Sequence, residues 1–488
     1  MSEKSGVNLA NSSIQKIERN QDHFPLSFSQ QRLWFLEQLS PELNVYNVPA
    51  ALRLIGPLNK KAIMDAVKDI IKRHEILRAS IFIDSAGNAY QKISPNIDFE
   101  CDYCDVSDAS KTSLQSTIRN KLNTELNKPF NLSKAPLLRC SLLRLSNNEH
   151  ILILAIHHII TDAWSMELFF NELSELYNAS LEHRAPQLPE LHIQYIDFAV
   201  WQRNHFTDTI IRKQLDYWRG ALSNIPDTSS FPTDYIRPSE VSYKGAAYYY
   251  TIPTEIHYLL KELTRKHDVT LFVVLLTAFQ VVLHRFSNDE TVVVGTPILN
   301  RHYSKIENLI GFFVNTLAMR LDILDNPTFL DLLHKNKENV LESQENQDVP
   351  FEQLVDDFKI RRDLSRHPIF QTWFVLQNKT DSLFSFKNLD VENIRVDEHI
   401  SKFDLALWMK ETEHNFELRL EYSTDLFKES TIKQLISGFE NFLRIVGENP
   451  QLHVEEVPII INEFKQVVFD NDQGFSGTII EVIDGIVE

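Results

Sequence analysis

The chain has 488 residues, of which 43% are hydrophobic and 24% charged, and its formal net charge at pH 7 is −18. This length exceeds one ordinary hydrophobic core and predicts two or three domains, and the composition is typical of a soluble globular protein. The acidic balance argues against nucleic-acid binding, because phosphate contacts need clustered Lys and Arg. No apolar run reaches the length of a membrane span and the N-terminus lacks a hydrophobic signal core, so we expect a cytoplasmic protein.

The first eighty residues contain one strongly periodic helix. Residues 1–22 are polar and aperiodic, which predicts a flexible N-terminal segment with some helix around Ile14 to Ile17. The pattern then predicts a helix over Gln30 to Leu39 and a strand over Ala51 to Leu54. Lys60 to Arg73 carries its apolar residues at helical spacing, so we expect an amphipathic helix there.

A buried hairpin precedes the most informative stretch of the chain. Leu137 to Leu145 and Ile151 to Ile156 flank a short polar turn, and the second run is continuously apolar, which suits a strand buried on both faces. A helix is predicted from Met166 to Leu181. Between strand and helix lie the polar residues that could carry chemistry, namely His157, His158, Thr161, Asp162, Trp164 and Ser165, with Ala163 among them.

The two histidines cannot share one role, because adjacent residues on a strand point to opposite faces. One imidazole is expected to face a cleft and the other to be tied into the core, although both could simply be structural. Asp162 either orients a histidine or pairs with a distant cation. No metal is expected, since zinc needs three or four converging ligands. Of the three cysteines, Cys101 and Cys104 lack a second CxxC pair and Cys140 is remote in sequence, so reduced thiols without a special role are expected.

The remainder of the chain resembles a second α/β half. The proline-bearing stretch from Arg184 to Glu190 predicts a connection between an N-terminal lobe, residues 23–185, and a C-terminal lobe, residues 186–469. The aromatic group around Tyr195, Phe198 and Trp201 is interpreted as packing between the lobes. Further predicted elements are a helix at Thr270 to Phe286, strands at Thr291 to Val294, Phe370 to Leu376 and Phe416 to Tyr422, and a helix from Phe329.

The last nineteen residues, 470–488, contain acidic residues and apolar pairs but no Lys or Arg. This composition suits a last strand, a disordered tail, or a docking segment that adds a strand to a partner sheet or lies in a groove.

Seven ordered motifs connect these elements to a known family. The central one is HHxxxD followed by Trp164 and Ser165. The others are PLSFSQQRLWFLEQL from Pro25, RHEILRASIF from Arg73, YIDFAVW from Tyr195, IGFFVNT from Ile310, NQDVPFEQL from Asn346 and RDLSRHPIFQ from Arg362. In this order the chain resembles the condensation domain of nonribosomal peptide synthetases, within the chloramphenicol acetyltransferase-like superfamily, from about residue 23 to about residue 469.

The resemblance implies an α/β fold of the α+β sandwich type, with two chloramphenicol acetyltransferase-like lobes in a V and the active site between them. It implies an acyltransferase that joins a carrier-bound acyl or peptidyl thioester to an amine. The enzyme itself would bind no cofactor, because its substrates travel on the phosphopantetheine of carrier proteins in antibiotic biosynthesis. A monomer is expected. No adenylation, carrier or thioesterase motif follows, and Met1 with the distinct tail favours a stand-alone enzyme.

The resemblance also implies roles for individual residues. His158 is the expected catalytic residue, as a base or as an anchor for the amine, with His157 structural. Asp162 is expected to pair with Arg301. Trp164, Ser165 and Asn315 are expected to line the substrate channel.

The chain departs from the family at Ala163, where the family usually has glycine, and alanine is restricted at positive φ. Three alternatives remain open at this point. One is an ester-forming relative, and another is an epimerisation domain, in which Ser usually precedes Trp. The third is a non-catalytic recruitment module of the same fold.

Overall fold

The structure is a computed structural model that describes residues 14–39, 45–108, 111–206, 208–229, 231–359, 363–377, 384–394, 399–459, 464–468 and 478–482. Its strands are β1 Phe24–Pro25, β2 Asn47–Ile55, β3 Ala79–Ile83, β4 Ala89–Ile93, β5 Asp102–Asp105, β6 Leu138–Ser146, β7 Glu149–His157, β8 Gly245–Ile252, β9 Thr291–Ile298, β10 Asn315–Asp322, β11 Thr372–Gln377, β12 Asp390–Asn393, β13 Leu405–Glu411, β14 Phe416–Ser423, β15 Phe464–Val468 and β16 Thr478–Val482.

The helices alternate with these strands through most of the chain. They are α1 Phe28–Leu39, α2 Lys60–Arg73, α3 Lys111–Asn127, α4 Ala163–Glu182, α5 Tyr195–His205, α6 Asp208–Ala221, α7 Thr254–His267, α8 Leu271–Ser287, α9 Phe329–Glu345, α10 Phe351–Asp357 and α11 Glu429–Glu448. Short 3₁₀ helices lie at Glu75–Arg78, His158–Ile160 and Ser304–Ile306. The mixed α/β class expected from the sequence is confirmed.

Helix α2 shows why these segments fold as they do. Asn59 caps its N-terminus by accepting a hydrogen bond from the backbone N–H of Ala62. Its buried residues Ala62, Ile63, Ala66, Val67, Ile70 and Ile71 repeat at helical spacing. The polar face therefore stays in water while the apolar stripe joins the core, which is the usual source of helix stability in proteins.

The chain divides into two compact units that are not contiguous in sequence. The first unit contains the described residues up to Ile211, together with 299–314 and the described part of 381–396. The second unit contains residues 212–298, 315–377 and most of the chain after 399. These units have other bounds than the lobes 23–185 and 186–469, which stay a prediction. Within the first unit, Tyr195 and Phe198 of α5 pack against Phe313.

The first unit is built on a five-stranded sheet in the order β12-β2-β7-β6-β5, with a small sheet β1-β4-β3 beside it. Strand β7 is central, since it pairs antiparallel with β2 on one side and with β6 on the other. Strand β12 comes from a segment more than 300 residues later than β2 in sequence, yet Val391 pairs with Leu54. Helices α2 and α4 pack together in the core of this unit.

Two details of the first unit differ from the sequence predictions. Residues 14–20 are irregular rather than helical, and Ile14 is buried. Arg19 binds the carboxylates of Asp197 and Glu75, so this described part of the N-terminal segment is attached to the unit. Cys140 is also not remote from Cys101, because the parallel pairing of β5 with β6 brings their free thiol sulfurs within 2.6 Å.

The second unit is built on a six-stranded sheet in the order β10-β9-β11-β13-β14-β8. Its strands β9, β11 and β13 run parallel, and the remaining pairs are antiparallel. Helix α8 lies in the core, with its residues from Val273 to His284 buried. Among the described residues no single helix is long and apolar enough to cross a membrane; α7 and α8 pass this test only together, across a 111° bend.

Strands β15 and β16 pair with each other as an antiparallel ladder. The predicted docking segment, 470–488, lies outside the described residues except for β16. The docking hypothesis therefore stays a prediction.

Candidate active site

The candidate site lies where the central strand of the first unit ends. Residues Ile151 to Ile156 of β7 are each no more than 2% exposed, as expected for a strand paired on both edges. After His157 the chain enters the 3₁₀ helix that begins with His158, and α4 follows with Asp162 as its N-cap. This sharp change of direction places His158 on a turn that the sheet and the helix fix from both sides.

His157 is tied into the core. Its side chain is 1% exposed, and its Nδ1 accepts a hydrogen bond from the backbone N–H of Ile159 at 3.1 Å. The ring packs edge-on against Phe130, and the carboxylate of Glu37 lies 3.7 Å from Nε2. These contacts are those of a structural residue that shapes the turn.

His158 has a different environment and a defined tautomer. It is half-buried, and its Nδ1 lies 2.6 Å from the carbonyl oxygen of Thr161. A carbonyl oxygen only accepts, so Nδ1 carries the hydrogen and donates it. Whenever the imidazole is neutral, its lone pair is therefore on Nε2, which is the state a base or an acceptor for an amine N–H requires. The ring of Phe312 packs against the imidazole at a centroid distance of 4.8 Å.

The predicted ion pair between Asp162 and Arg301 is present and buried. The Arg301 Nη2 lies 3.1 Å from Oδ1 of Asp162, and the exposed fractions of the two side chains are 4% and 0%. Asp162 also accepts from the backbone N–H groups of Ser165 and Phe313. Burial lowers the pKa of Arg301, although the charge of Asp162 and its hydrogen bond partly offset this effect.

Arg301 in turn binds a loop that borders the site. Its Nη1 donates to the carbonyl oxygens of Ile306 and Leu309, and its guanidinium stacks on the ring of Phe313 at 4.0 Å. The pair therefore joins the start of α4 to the segment 306–313. Since Phe312 of this segment contacts His158, the ion pair acts on the position of the imidazole.

Ser165 and Asn315, which were expected to line a substrate channel, are buried and hydrogen-bonded within the protein, and their place in the channel stays a prediction. The Ser165 side chain is fully buried; its hydroxyl donates to the carbonyl of Gly311 and accepts from the N–H of Gly311 and from Arg301. Asn315 belongs to the second unit, where its amide group bonds to the backbone of Gln347, Val349 and Phe351. Both side chains have used their hydrogen-bonding groups within the protein.

Ala163 and Trp164 lie at the exposed start of α4. Ala163 is the first helical residue and does not have positive φ, so alanine in place of glycine introduces no backbone strain. Its N–H is among those that a helix leaves without an acceptor in its own ladder. The Trp164 side chain is 36% exposed and its Nε1 donates to the carbonyl of Glu307.

Two side chains that support the site were not predicted from the sequence, because only the folded chain brings them to it. Tyr195 donates its hydroxyl hydrogen to the carbonyl of Phe312 and contacts Ser27, and burial raises its pKa above the usual range. His74 bonds to Glu172 at 2.9 Å, and its other ring nitrogen faces the N–H of Ile310. The motifs RHEILRASIF, YIDFAVW and IGFFVNT contained these residues but not their contacts.

Among the described residues, no group of three or more His, Cys, Asp or Glu side chains is arranged to hold a metal ion. The chemistry that the His158 imidazole offers here is proton transfer or hydrogen bonding at Nε2, since Nδ1 faces the carbonyl of Thr161. The start of α4, where backbone N–H groups favour negative charge, lies a few residues away.

Comparison with known proteins gives the family. The model of the condensation domain matches residues 20–468. Malpinin synthetase of Mortierella alpina is 38% identical over 457 residues, which are 94% of this chain and 6% of that protein. Gramicidin S synthase 2 of Brevibacillus brevis is 36% identical over 450 residues, 92% of this chain and 10% of that protein. The chain therefore spans about a tenth or less of these relatives.

Solved structures show the same fold. The X-domain in its complex with OxyB from teicoplanin biosynthesis has a TM-score of 0.83 and 26% identity, and the match covers 93% of this chain and 99% of that chain. The first condensation domain of the calcium-dependent antibiotic synthetase, in complex with a substrate analogue, has a TM-score of 0.74 and 19% identity, covering 89% and 99% of the two chains. The fold is thus the two-lobed chloramphenicol acetyltransferase-like fold. The chain belongs to the condensation-domain family of nonribosomal peptide synthetases.

Proposed function

We propose that the chain catalyses amide-bond formation between a carrier-bound acyl or peptidyl thioester and an amine, either free or on a second carrier. The observation that carries this proposal is the tautomer of His158, whose Nδ1–H is committed to the carbonyl of Thr161. Its relatives are nonribosomal peptide synthetases, which gives the proposal its substrates. Those substrates arrive on phosphopantetheine, so the enzyme needs no cofactor of its own.

The chemistry asks little of the protein because a thioester is already activated. The amine nitrogen attacks the carbonyl carbon, the C–N bond forms, and the C–S bond then breaks to release the arm as a thiol. The proton lost by the amine passes to Nε2 of His158 and from there to the departing sulfur. If His158 instead only holds the amine in place, it contributes by orientation, and both roles use the same lone pair.

The start of α4 is suited to the negative charge that develops on the carbonyl oxygen. The N–H of Ala163 is not used by the helix ladder, and a helix N-terminus stabilises nearby anions. We assign this N–H to the oxyanion. The Asp162–Arg301 pair keeps the start of α4 and the segment 306–313 in one arrangement, and so holds both groups in place.

A second candidate is a binding module that recruits another protein. The likeness to the X-domain, a chain solved in complex with OxyB, favours this candidate. The retained HHxxxD motif with a donating Nδ1 favours an enzyme. Esterification and epimerisation are the remaining alternatives within the enzyme class, and both would use the same imidazole.

The test is incubation of acyl-loaded carrier protein with an amine panel, an alcohol panel or no acceptor in D₂O, followed by mass spectrometry. We expect an amide product with amines only. An ester with alcohols would identify the ester-forming relative, and deuterium uptake at the donor α-carbon without transfer would identify epimerisation. If no product forms with any acceptor while the protein binds loaded carrier, the recruitment module is favoured and the proposed function is wrong.

A further inference from the structure

Arg203, near the C-terminus of α5, is a partly buried cation whose described contacts are all neutral. Its Nε donates to the carbonyl of Leu26 at 2.8 Å, and its Nη2 contacts the carbonyl of Ser27 and the side-chain oxygen of Gln31. The guanidinium carbon lies 4.1 Å from the centre of the Phe28 ring. Among the described residues, no hydrogen bond uses its Nη1.

Three other arginines of the same unit each have an acidic partner. Arg19 binds Asp197 and Glu75, Arg73 binds Glu172, and Arg301 binds Asp162. Burial without a compensating carboxylate lowers the pKa of Arg203 to about 10. A guanidinium removed from water in this way favours an anion, and its planar fork matches phosphate oxygens.

The position of Arg203 relates it to His158 through the first turn of α1. Gln30, which neighbours Gln31, donates its side-chain N–H to the carbonyl of Ile159, the residue after His158. Ser27 contacts the hydroxyl of Tyr195, which donates to the carbonyl of Phe312, whose ring packs on His158. These contacts connect the surroundings of Arg203 to those of His158 within the first unit.

The substrate arm carries a charge that matches the guanidinium of Arg203. A phosphopantetheine arm carries its anionic phosphate at one end and the acylated sulfur at the other. Its backbone is about as long as four to five extended residues, roughly 15 Å. A phosphate held at Arg203 would leave an arm of this length to carry the thioester toward the imidazole.

We propose that Arg203 binds the phosphate of the phosphopantetheine arm that presents the acyl group to His158. This assignment rests on the proposed function, since it names the subsite for that same substrate. Nη1 and Nη2 of the guanidinium would donate hydrogen bonds to the phosphate, while Nε would keep its hydrogen bond to the carbonyl of Leu26. The arm would then pass α1 on its way to the end of β7.

The matched control is Arg78, which also bonds only to carbonyl oxygens among its described partners. Its Nε donates to the carbonyl of Ile71, its Nη1 to the carbonyls of Ser94 and Pro95, and its Nη2 to the carbonyl of Lys72. All three nitrogens of its guanidinium are therefore hydrogen-bonded. Replacing Arg78 changes the protein's charge by the same amount as replacing Arg203. An effect of net charge alone would therefore be the same in both variants.

The experiment measures the affinity of the full chain for 4′-phosphopantetheine, pantetheine and inorganic phosphate by calorimetry, in the wild type, Arg203→Gln, Arg203→Lys and Arg78→Gln. We expect the wild type and Arg78→Gln to prefer phosphopantetheine over pantetheine at least tenfold. Arg203→Gln should lose this preference with unchanged affinity for pantetheine, and Arg203→Lys should keep part of it.

The assignment would be overturned if the folded wild type bound phosphopantetheine and pantetheine with equal affinity. It would also be overturned if the preference for phosphopantetheine survived in Arg203→Gln. If Arg203→Gln fails to fold, the wild-type preference and its reduction in Arg203→Lys still decide the question. Failure of this subsite is distinguishable from failure of the proposed function. If only the subsite is wrong, condensation proceeds but phosphopantetheine is not preferred over pantetheine. If only the proposed function is wrong, that preference is present but no acceptor is acylated.

Discussion

Asp162→Asn should destabilise the first unit by about 3–5 kcal/mol, the usual cost of removing one partner from a buried ion pair. The asparagine keeps a side-chain oxygen for the N–H of Ser165, so the helix cap, which contributes about 1 kcal/mol, is largely retained. What is lost is the charge facing Arg301, whose side chain is 4% exposed and cannot regain water. The N–H of Phe313 also loses its acceptor, because the amide nitrogen of asparagine takes the place of Oδ2 and only donates. The effect should therefore come from the unpaired guanidinium together with the unpaired N–H of Phe313.

The free energy of unfolding should be measured by urea denaturation, with hydrogen exchange over β7 and α4 to locate the change in the first unit. The control is Asp65→Asn, which removes an equal charge from an exposed pair with Lys61 and should cost less than about 1 kcal/mol. The double variant Asp162→Asn with Arg301→Met should be less destabilised than the sum of its single variants. A loss of unfolding free energy below about 1 kcal/mol in Asp162→Asn, or simple additivity in the double variant, would show that this buried ion pair does not stabilise the first unit.

Two further predictions concern the supports of the site. Gly311→Ala should cost at least about 1–3 kcal/mol in unfolding free energy, because its Cβ would overlap the buried ring of Tyr195; Gly220→Ala, which meets open space, is the control and should not destabilise. Burial alone would raise the pKa of Glu172, but the hydrogen bond and charge of His74, with a nearby arginine, outweigh it and lower that pKa below its ordinary 4.5. The ionised carboxylate therefore contributes stability above pH 4.5 that is lost as pH falls through the lower folded value. The stability difference between wild type and Glu172→Gln should shrink in urea titrations below pH 4.5, and a constant difference would contradict this sign.

Helices and strands were predictable from the sequence where the apolar residues repeat regularly and a capping residue marks the end of the element. The bounds of α2 match the prediction because its apolar face is continuous and Asn59 caps it. Strand β7 was predictable from its apolar run, and the Asp162–Arg301 pair followed from the family resemblance. In each case the evidence lies within a few residues of the element or in a known motif.

Long-range placement could not be predicted from these patterns. Strand β12 joins the sheet of the first unit, although nothing in its four residues specifies β2 as its partner. The segment 299–314 likewise belongs to the first unit because Arg301, Gly311 and Phe313 bond to the start of α4. Such pairings depend on the whole core.

The candidate site shows the same limit at the level of single side chains. A serine beside a catalytic motif suggests a channel residue, yet the hydroxyl of Ser165 is saturated by Gly311 and Arg301. The alternation of side chains along a strand predicted that His157 and His158 have different environments, but it did not predict the tautomer of His158. It depends on the carbonyl of Thr161, which the turn after β7 brings to Nδ1.

The most direct test of the central claim is the single-turnover rate of amide formation, measured by mass spectrometry with one acyl-loaded carrier and one amine, in the wild type and in His158→Ala. We expect a rate lower by about 10² or more in His158→Ala, the usual effect of losing a positioned acid–base group, with unfolding free energy nearly unchanged because the imidazole is half-buried. A folded His158→Ala protein that forms the amide at the wild-type rate would contradict this expectation.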